Sequence, residues 1–116
     1  MKISNASIAV VRESKVTDYL LSSEHELGRF KEAFFRAFGF SRDQWETLQE
    51  ALLSHVRLYD TTAEELTPYG VKYIVEGPIS SPDGRDPLVR SIWIIRAGQR
   101  IPEFVTAYPL PSEKMT

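Results

Sequence analysis

Val71-Lys-Tyr-Ile-Val-Glu76, Val89-Arg-Ser-Ile-Trp-Ile-Ile-Arg96 and Phe104-Val-Thr-Ala-Tyr108 are three runs rich in β-branched and aromatic residues, with turn signals between them. In the first, Val71, Tyr73 and Val75 alternate with Lys72, Ile74 and Glu76, the period of a half-buried strand. The second is nearly continuously apolar from Ile92 to Ile95, which suits the middle of a sheet. Thr67-Pro-Tyr-Gly70, Ser81-Pro-Asp-Gly84 and Ala97-Gly-Gln99 supply the turns. Pro102 is expected to keep Arg100–Glu103 out of the ladder, and Pro109 and Pro111 end the third run.

Upstream, the period changes from two to that of a helix. Ser23 with Glu26 forms a capping box, and Leu27, Phe30, Ala33, Phe34, Ala37 and Phe38 share an arc that Gly39 terminates. Ser41 with Gln44 forms a second box, followed by a stripe of Trp45, Leu48, Leu52 and Val56 with Ala51 beside it. That tight corner is not a DNA reader, because Gln44–Glu50 is acidic where a recognition helix would be basic. Lys15–Leu21 predicts a short helix with Val16, Tyr19 and Leu20 on one face, and Ile8–Val11 a segment tucked under the domain. Thr61 or Thr62 is expected to cap a helical turn over Ala63–Leu66. Helices first and hairpin-linked strands afterwards predict an α+β domain. Its N-terminal helices would pack on one face of a C-terminal antiparallel sheet of three to four strands.

The 116 residues suffice for one domain with one core, and 42% hydrophobic with 26% charged residues is ordinary globular composition. No apolar run is long enough to cross a bilayer and no secretory leader is apparent, so a cytoplasmic, membrane-free protein is the default expectation. Cysteine is absent, which excludes disulfides and thiolate chemistry. A pI of 5.7 argues against a protein that coats nucleic acid non-specifically. Against that background the stretch Arg85–Arg100 holds four arginines and one acid, Asp86, a candidate anion site.

Each candidate side chain has a plainer alternative. His25 falls in the first turn of the capped helix, where the dipole favours a neutral imidazole able to accept a proton; it could equally be an exposed histidine. Lys31 lies at the edge of the apolar arc, aimed at a phosphate or snorkelling to solvent. The two point roughly 120° apart around a helix, so both reach one ligand only near its N-terminus. Arg90 shares strand parity with Ile92 and Ile94, a costly place for a guanidinium without an anion or a carboxylate such as Glu76. Arg96 beside the hairpin is expected in solvent, and Arg85 beside Asp83 or Asp86. Thr106 and Tyr108 share a face with Phe104, and their hydroxyls could serve a phosphate oxygen. His55, near the end of the second helix, sits where the dipole favours a cation. Neither histidine has metal-ligand spacing, and no nucleotide-binding fingerprint occurs, so no metal and no cofactor are expected.

The blocks Tyr19-Leu-Leu-Ser-Ser-Glu-His25-Glu-Leu-Gly-Arg-Phe-Lys31-Glu-Ala-Phe-Phe-Arg-Ala-Phe-Gly-Phe40, Tyr69-Gly-Val-Lys-Tyr-Ile-Val-Glu-Gly-Pro78, Pro82-Asp-Gly-Arg85, Val89–Ile95 and Val105-Thr-Ala-Tyr-Pro109 carry a resemblance. Together they resemble a family of small bacterial domains of unknown function that occur alone or at the ends of polymorphic toxins. In layout alone that family is similar to the barnase/EndoU/colicin D/RelE-like superfamily of metal-independent RNases. The resemblance implies RNA as substrate, with His25 moving a proton, Lys31 and Arg90 stabilising phosphorane charge and Thr106 orienting a phosphate oxygen. Arg85 would add to substrate binding, and Tyr108 or Trp93 would stack on a base. Two other expectations stand beside it. One is a non-catalytic or immunity-type module with a cognate protein partner, such as an antitoxin; the other is a small-anion or nucleotide-binding protein.

Overall fold

A computed structural model of the protein describes residues 1–24 and 28–111. A 3-10 turn at Ala6–Ile8 leads to α1 (Glu13–Lys15), which runs directly into a π-helical segment, Val16–Leu20. Then come α2 (Gly28–Ala37), a 3-10 turn at Arg42–Gln44 and α3 (Trp45–Leu58). Strands β1 (Thr61–Thr67), β2 (Gly70–Pro78), β3 (Leu88–Arg96) and β4 (Glu103–Pro109) form one antiparallel sheet in the order β1-β2-β3-β4. Three helices in the N-terminal half pack against this sheet, the α+β arrangement expected.

β1 corrects one expectation. Ala63–Leu66 is strand, not a helical turn, because the Pro68-Tyr69 turn folds it back onto Val71–Ile74 in register, Leu66 opposite Val71 and Ala63 opposite Ile74. Pairing overrides the helix preference of Ala-Glu-Glu-Leu. The capping boxes fare differently. Ser41 makes no side-chain cap; Gln44 N–H instead bonds the Ser41 carbonyl and a 3-10 turn precedes α3. The Ser23–Glu26 box involves Glu26, which lies outside the described residues, as does Leu27.

The end of α2 is as expected and fully accounted for. Gly39 takes φ +100°, Gly39 N–H bonds the Arg36 carbonyl, and Phe40 N–H reaches back to the Phe35 carbonyl. This paired closure is accompanied by edge-on contact of the Phe35 and Phe40 rings, 5.8 Å apart. The buried face of α2 is rotated from the expected arc: Phe35 is buried, Phe34 and Phe38 are half-buried, and Phe30 and Ala33 face solvent. Lys31, one turn before Phe35, therefore lies toward the body of the protein. In α3 the stripe is Leu48, Ala51, Leu52, His55 and Val56.

The core lies between the helices and one sheet face, with Val75, Val89, Trp93 and Ala107 completely buried. A bulge at Val105 shifts the β3–β4 register, so Ile92 opposes Thr106 while Trp93 opposes Phe104. Phe104 consequently joins the core, 5.3 Å from the Trp93 ring. Thr106 and Tyr108 then share a sheet face with Arg90 and Ile92, not with Phe104 as the uninterrupted alternation implied. The N-terminal segment straps β4: Val10 N–H bonds the Pro102 carbonyl, and Phe104 N–H bonds the Val10 carbonyl. Ala9 and Val11 are buried beneath this strap, whereas Ile8 and Val10 stay partly exposed.

Candidate functional site

Tyr19 is the residue around which the site assembles. The π-helical segment inserts an extra residue per turn, burying Val16 and Leu20 and sending Tyr19 toward the edge of β4. Its phenolic oxygen lies 3.0 Å from Thr106 Oγ1, in a hydrogen bond that either hydroxyl can donate. Lys31 Nζ hydrogen-bonds the phenol and sits 5.4 Å from the ring centre, and Lys15 Nζ lies 5.6 Å from the same centre. Partial burial works to raise the phenol pKa. The hydrogen bonds from Thr106 and Lys31 and the positive field of Lys31 and Lys15 outweigh it, so the net pKa is lowered below the usual 10.0. Lys31 and Thr106, both anticipated from sequence, thus meet through a residue that sequence had placed only on an apolar face.

Lys15 also lines an adjoining open cavity of about 570 Å³, floored by Ile94 and rimmed by Arg12, Arg96 and Gln99. Arg12 and Arg96 each hold one oxygen of Glu103 at 3.1 Å. One carboxylate is shared by both guanidiniums, so the cavity keeps an excess of positive charge. Arg96 is therefore ion-paired as well as solvent-accessible.

Arg90 stands one row along the same sheet face, opposite Glu76 on β2 and Tyr108 on β4. It pairs with the Glu76 carboxylate and donates to the Tyr108 hydroxyl at 3.2 Å. These bonds, Tyr108 first and Glu76 second, hold the guanidinium more firmly charged. Two expected binding residues are elsewhere. Arg85 reaches Asp83 and the Ala37 carbonyl, both at 2.6 Å, and stacks over Phe38, clamping the β2–β3 loop to the end of α2. Trp93 is wholly buried, so it packs the core and has no face free for a base. His25 lies outside the described residues. Among the described residues no three His, Cys, Asp or Glu side chains gather as a metal centre requires. No helix among them is long and apolar enough to cross a membrane.

The family model for a domain of unknown function, DUF6883, matches residues 2–111. The chain belongs to this family. No curated protein is similar enough in sequence to match. Among solved structures, a chain of the contact-dependent growth inhibition toxin–immunity protein complex from Klebsiella pneumoniae 342 superposes with a TM-score of 0.71. The alignment covers 92% of this chain and 97% of that one at 17% identity, and at that identity the likeness is one of fold.

Proposed function

We propose that this DUF6883 domain is a toxin-related, metal-independent RNA-cleaving domain whose reaction centre is Tyr19, Thr106 and Lys31. The observation that carries the reading is a phenol of lowered pKa, bonded to Thr106 and flanked by two ammonium groups at the edge of an open sheet face. In the proposed reaction an RNA 2′-oxygen attacks the adjacent phosphorus. Its proton passes to His25, and the bond to the leaving 5′-oxygen breaks as that oxygen takes a proton from Tyr19. The products are a 2′,3′-cyclic phosphate and a 5′-hydroxyl. Lys31 and Lys15 stabilise the charge that builds on the non-bridging oxygens, and Thr106 donates to one of them. Arg90 and Tyr108 hold the strand beyond the scissile bond, Tyr108 by stacking on a base.

The structural likeness to a chain of a toxin–immunity complex supports a toxin-related setting and a cognate protein partner. It is equally compatible with a second reading, a non-catalytic partner-binding module. The intramolecular pairing of Arg90 with Glu76 and Tyr108 favours that alternative, since those donors are already engaged.

The test is cleavage of defined RNA in EDTA. The wild-type chain should leave cyclic-phosphate ends, and Tyr19→Phe, which removes only the hydroxyl, should lower the rate 10²-fold or more. His25→Ala should do likewise. Because Tyr19 acts as an acid, the rate should fall at high pH, with its midpoint below 10. RNA left intact by the wild type would leave the partner-binding reading in its place, and RNA cut undiminished by Tyr19→Phe would remove Tyr19 from the reaction centre.

A further inference from the structure

The two edges of the sheet are treated differently. β4 is strapped by Val10 and covered by Tyr19, whereas β1 has five consecutive exposed residues, Thr62–Leu66. Along β1, alternate amides and carbonyls point away from β2, a ready template for another strand. Among the described residues the edge is closed only at its start, where the Met1 carbonyl accepts from both Thr61 N–H and Thr61 Oγ1. Neither a bulge nor a proline blunts its centre, where the charges are the two acids Glu64 and Glu65. The register shift falls between Thr61 and Ala63, Pro68 comes after the strand, and Ala63–Thr67 pairs regularly with no lysine in it.

We propose that β1 receives an extended, lysine- or arginine-bearing segment of a partner protein as an additional strand. Charge selects this occupant. From Asp60 to Val71 the chain carries Asp60, Glu64 and Glu65 and no cation. Glu65 faces Lys72 across β2, but Glu64 faces Tyr73 and has no cation opposite. A second copy of this chain is disfavoured, because antiparallel pairing over the whole of Ala63–Thr67 would set Glu65 against its own counterpart. Leu66 and Tyr69, 84% and 73% exposed, add apolar surface at the hairpin end on which long basic side chains can lie. This proposal is independent of the RNA reading, since β1 lies at the opposite edge of the sheet from Tyr19 and Thr106.

The experiment titrates the full chain with a synthetic peptide of alternating lysine and valine, and with an alternating glutamate–valine peptide as control. Amide NMR shifts locate binding and fluorescence anisotropy measures it. The lysine peptide should shift β1 and its β2 partners. Binding should weaken at least tenfold for the glutamate peptide and for the Glu64→Lys/Glu65→Lys variant, which changes only exposed side chains. No binding at millimolar peptide, equal binding of both peptides, or shifts centred away from β1 would each overturn the proposal. So would self-association of the wild-type chain through β1 in sedimentation.

Discussion

His55 has its protons assigned by its neighbours. Nε2–H donates to the Gly77 carbonyl at 3.0 Å, which leaves Nδ1 to accept from the Ser91 hydroxyl at 2.9 Å. The Ser91 oxygen in turn accepts from Trp93 Nε1–H at 2.8 Å. Burial lowers the imidazole pKa below 6.5, with the Gly77 bond opposing, so the ring is neutral rather than the helix-end cation its position in sequence suggested. The unfolded chain takes up a proton near pH 6.5 and the folded chain only at lower pH, so unfolding binds a proton in that window. Stability should therefore be steady above about pH 6.5 and decline below it by up to about 1.4 kcal/mol per pH unit, which urea unfolding at pH 7.5 and 5.5 will measure. Ser91→Ala should cost about 1–3 kcal/mol in the same assay, because it strands both the imidazole Nδ1 and the indole N–H. The sequence offered a serine and a tryptophan two apart on one strand face, but nothing in it placed a helix histidine over them.

At the scale of elements, the β1–β2 hairpin depends on Gly70. Its φ is +145°, and a Cβ there would stand 2.3 Å from the Ile95 carbonyl oxygen and 2.7 Å from Arg96 Cα. Both obstacles are backbone, so Gly70→Ala should destabilise by at least about 2 kcal/mol. Gly98→Ala, at φ +80° with open space around it, should cost about 1 kcal/mol; thermal unfolding of the two variants ranks them. The long strands and α3 were legible because their periods are sustained over whole elements. α2 was legible as a helix but not in rotation, since the adjacent Phe34 and Phe35 let either side of the arc serve as core. The π-helical segment and the Val105 bulge were not legible at all. Each inserts one residue into a regular ladder, and that decision is made by packing against Thr106 and Trp93 rather than by local preference. Those two irregularities are also what bring Tyr19 and Thr106 within reach of each other.

For the whole molecule, the formal charge is −2, yet Arg12, Lys15, Lys31 and Arg96 gather along the β4 side. Single-stranded RNA affinity should therefore be strongly salt-dependent despite the acidic pI. Lys15→Ala and Lys31→Ala should each lower the slope of log K against log salt by about 0.7, measured by filter binding at several salt concentrations. The sequence pointed to Arg85–Arg100 as the cationic region. In three dimensions only part of that stretch contributes, because Arg85 is spent on the α2 clamp and the other charges come from the first third of the chain.

The strap that joins Val10 to Phe104 also sets a timetable. A ribosome releases Tyr19 and Lys31 well before their partner hydroxyl, which belongs to β4, the strand that Val10 holds in place. No fragment that stops short of Thr106 can assemble the cluster. Whatever chemistry the finished domain performs must therefore wait until β4 has left the ribosome.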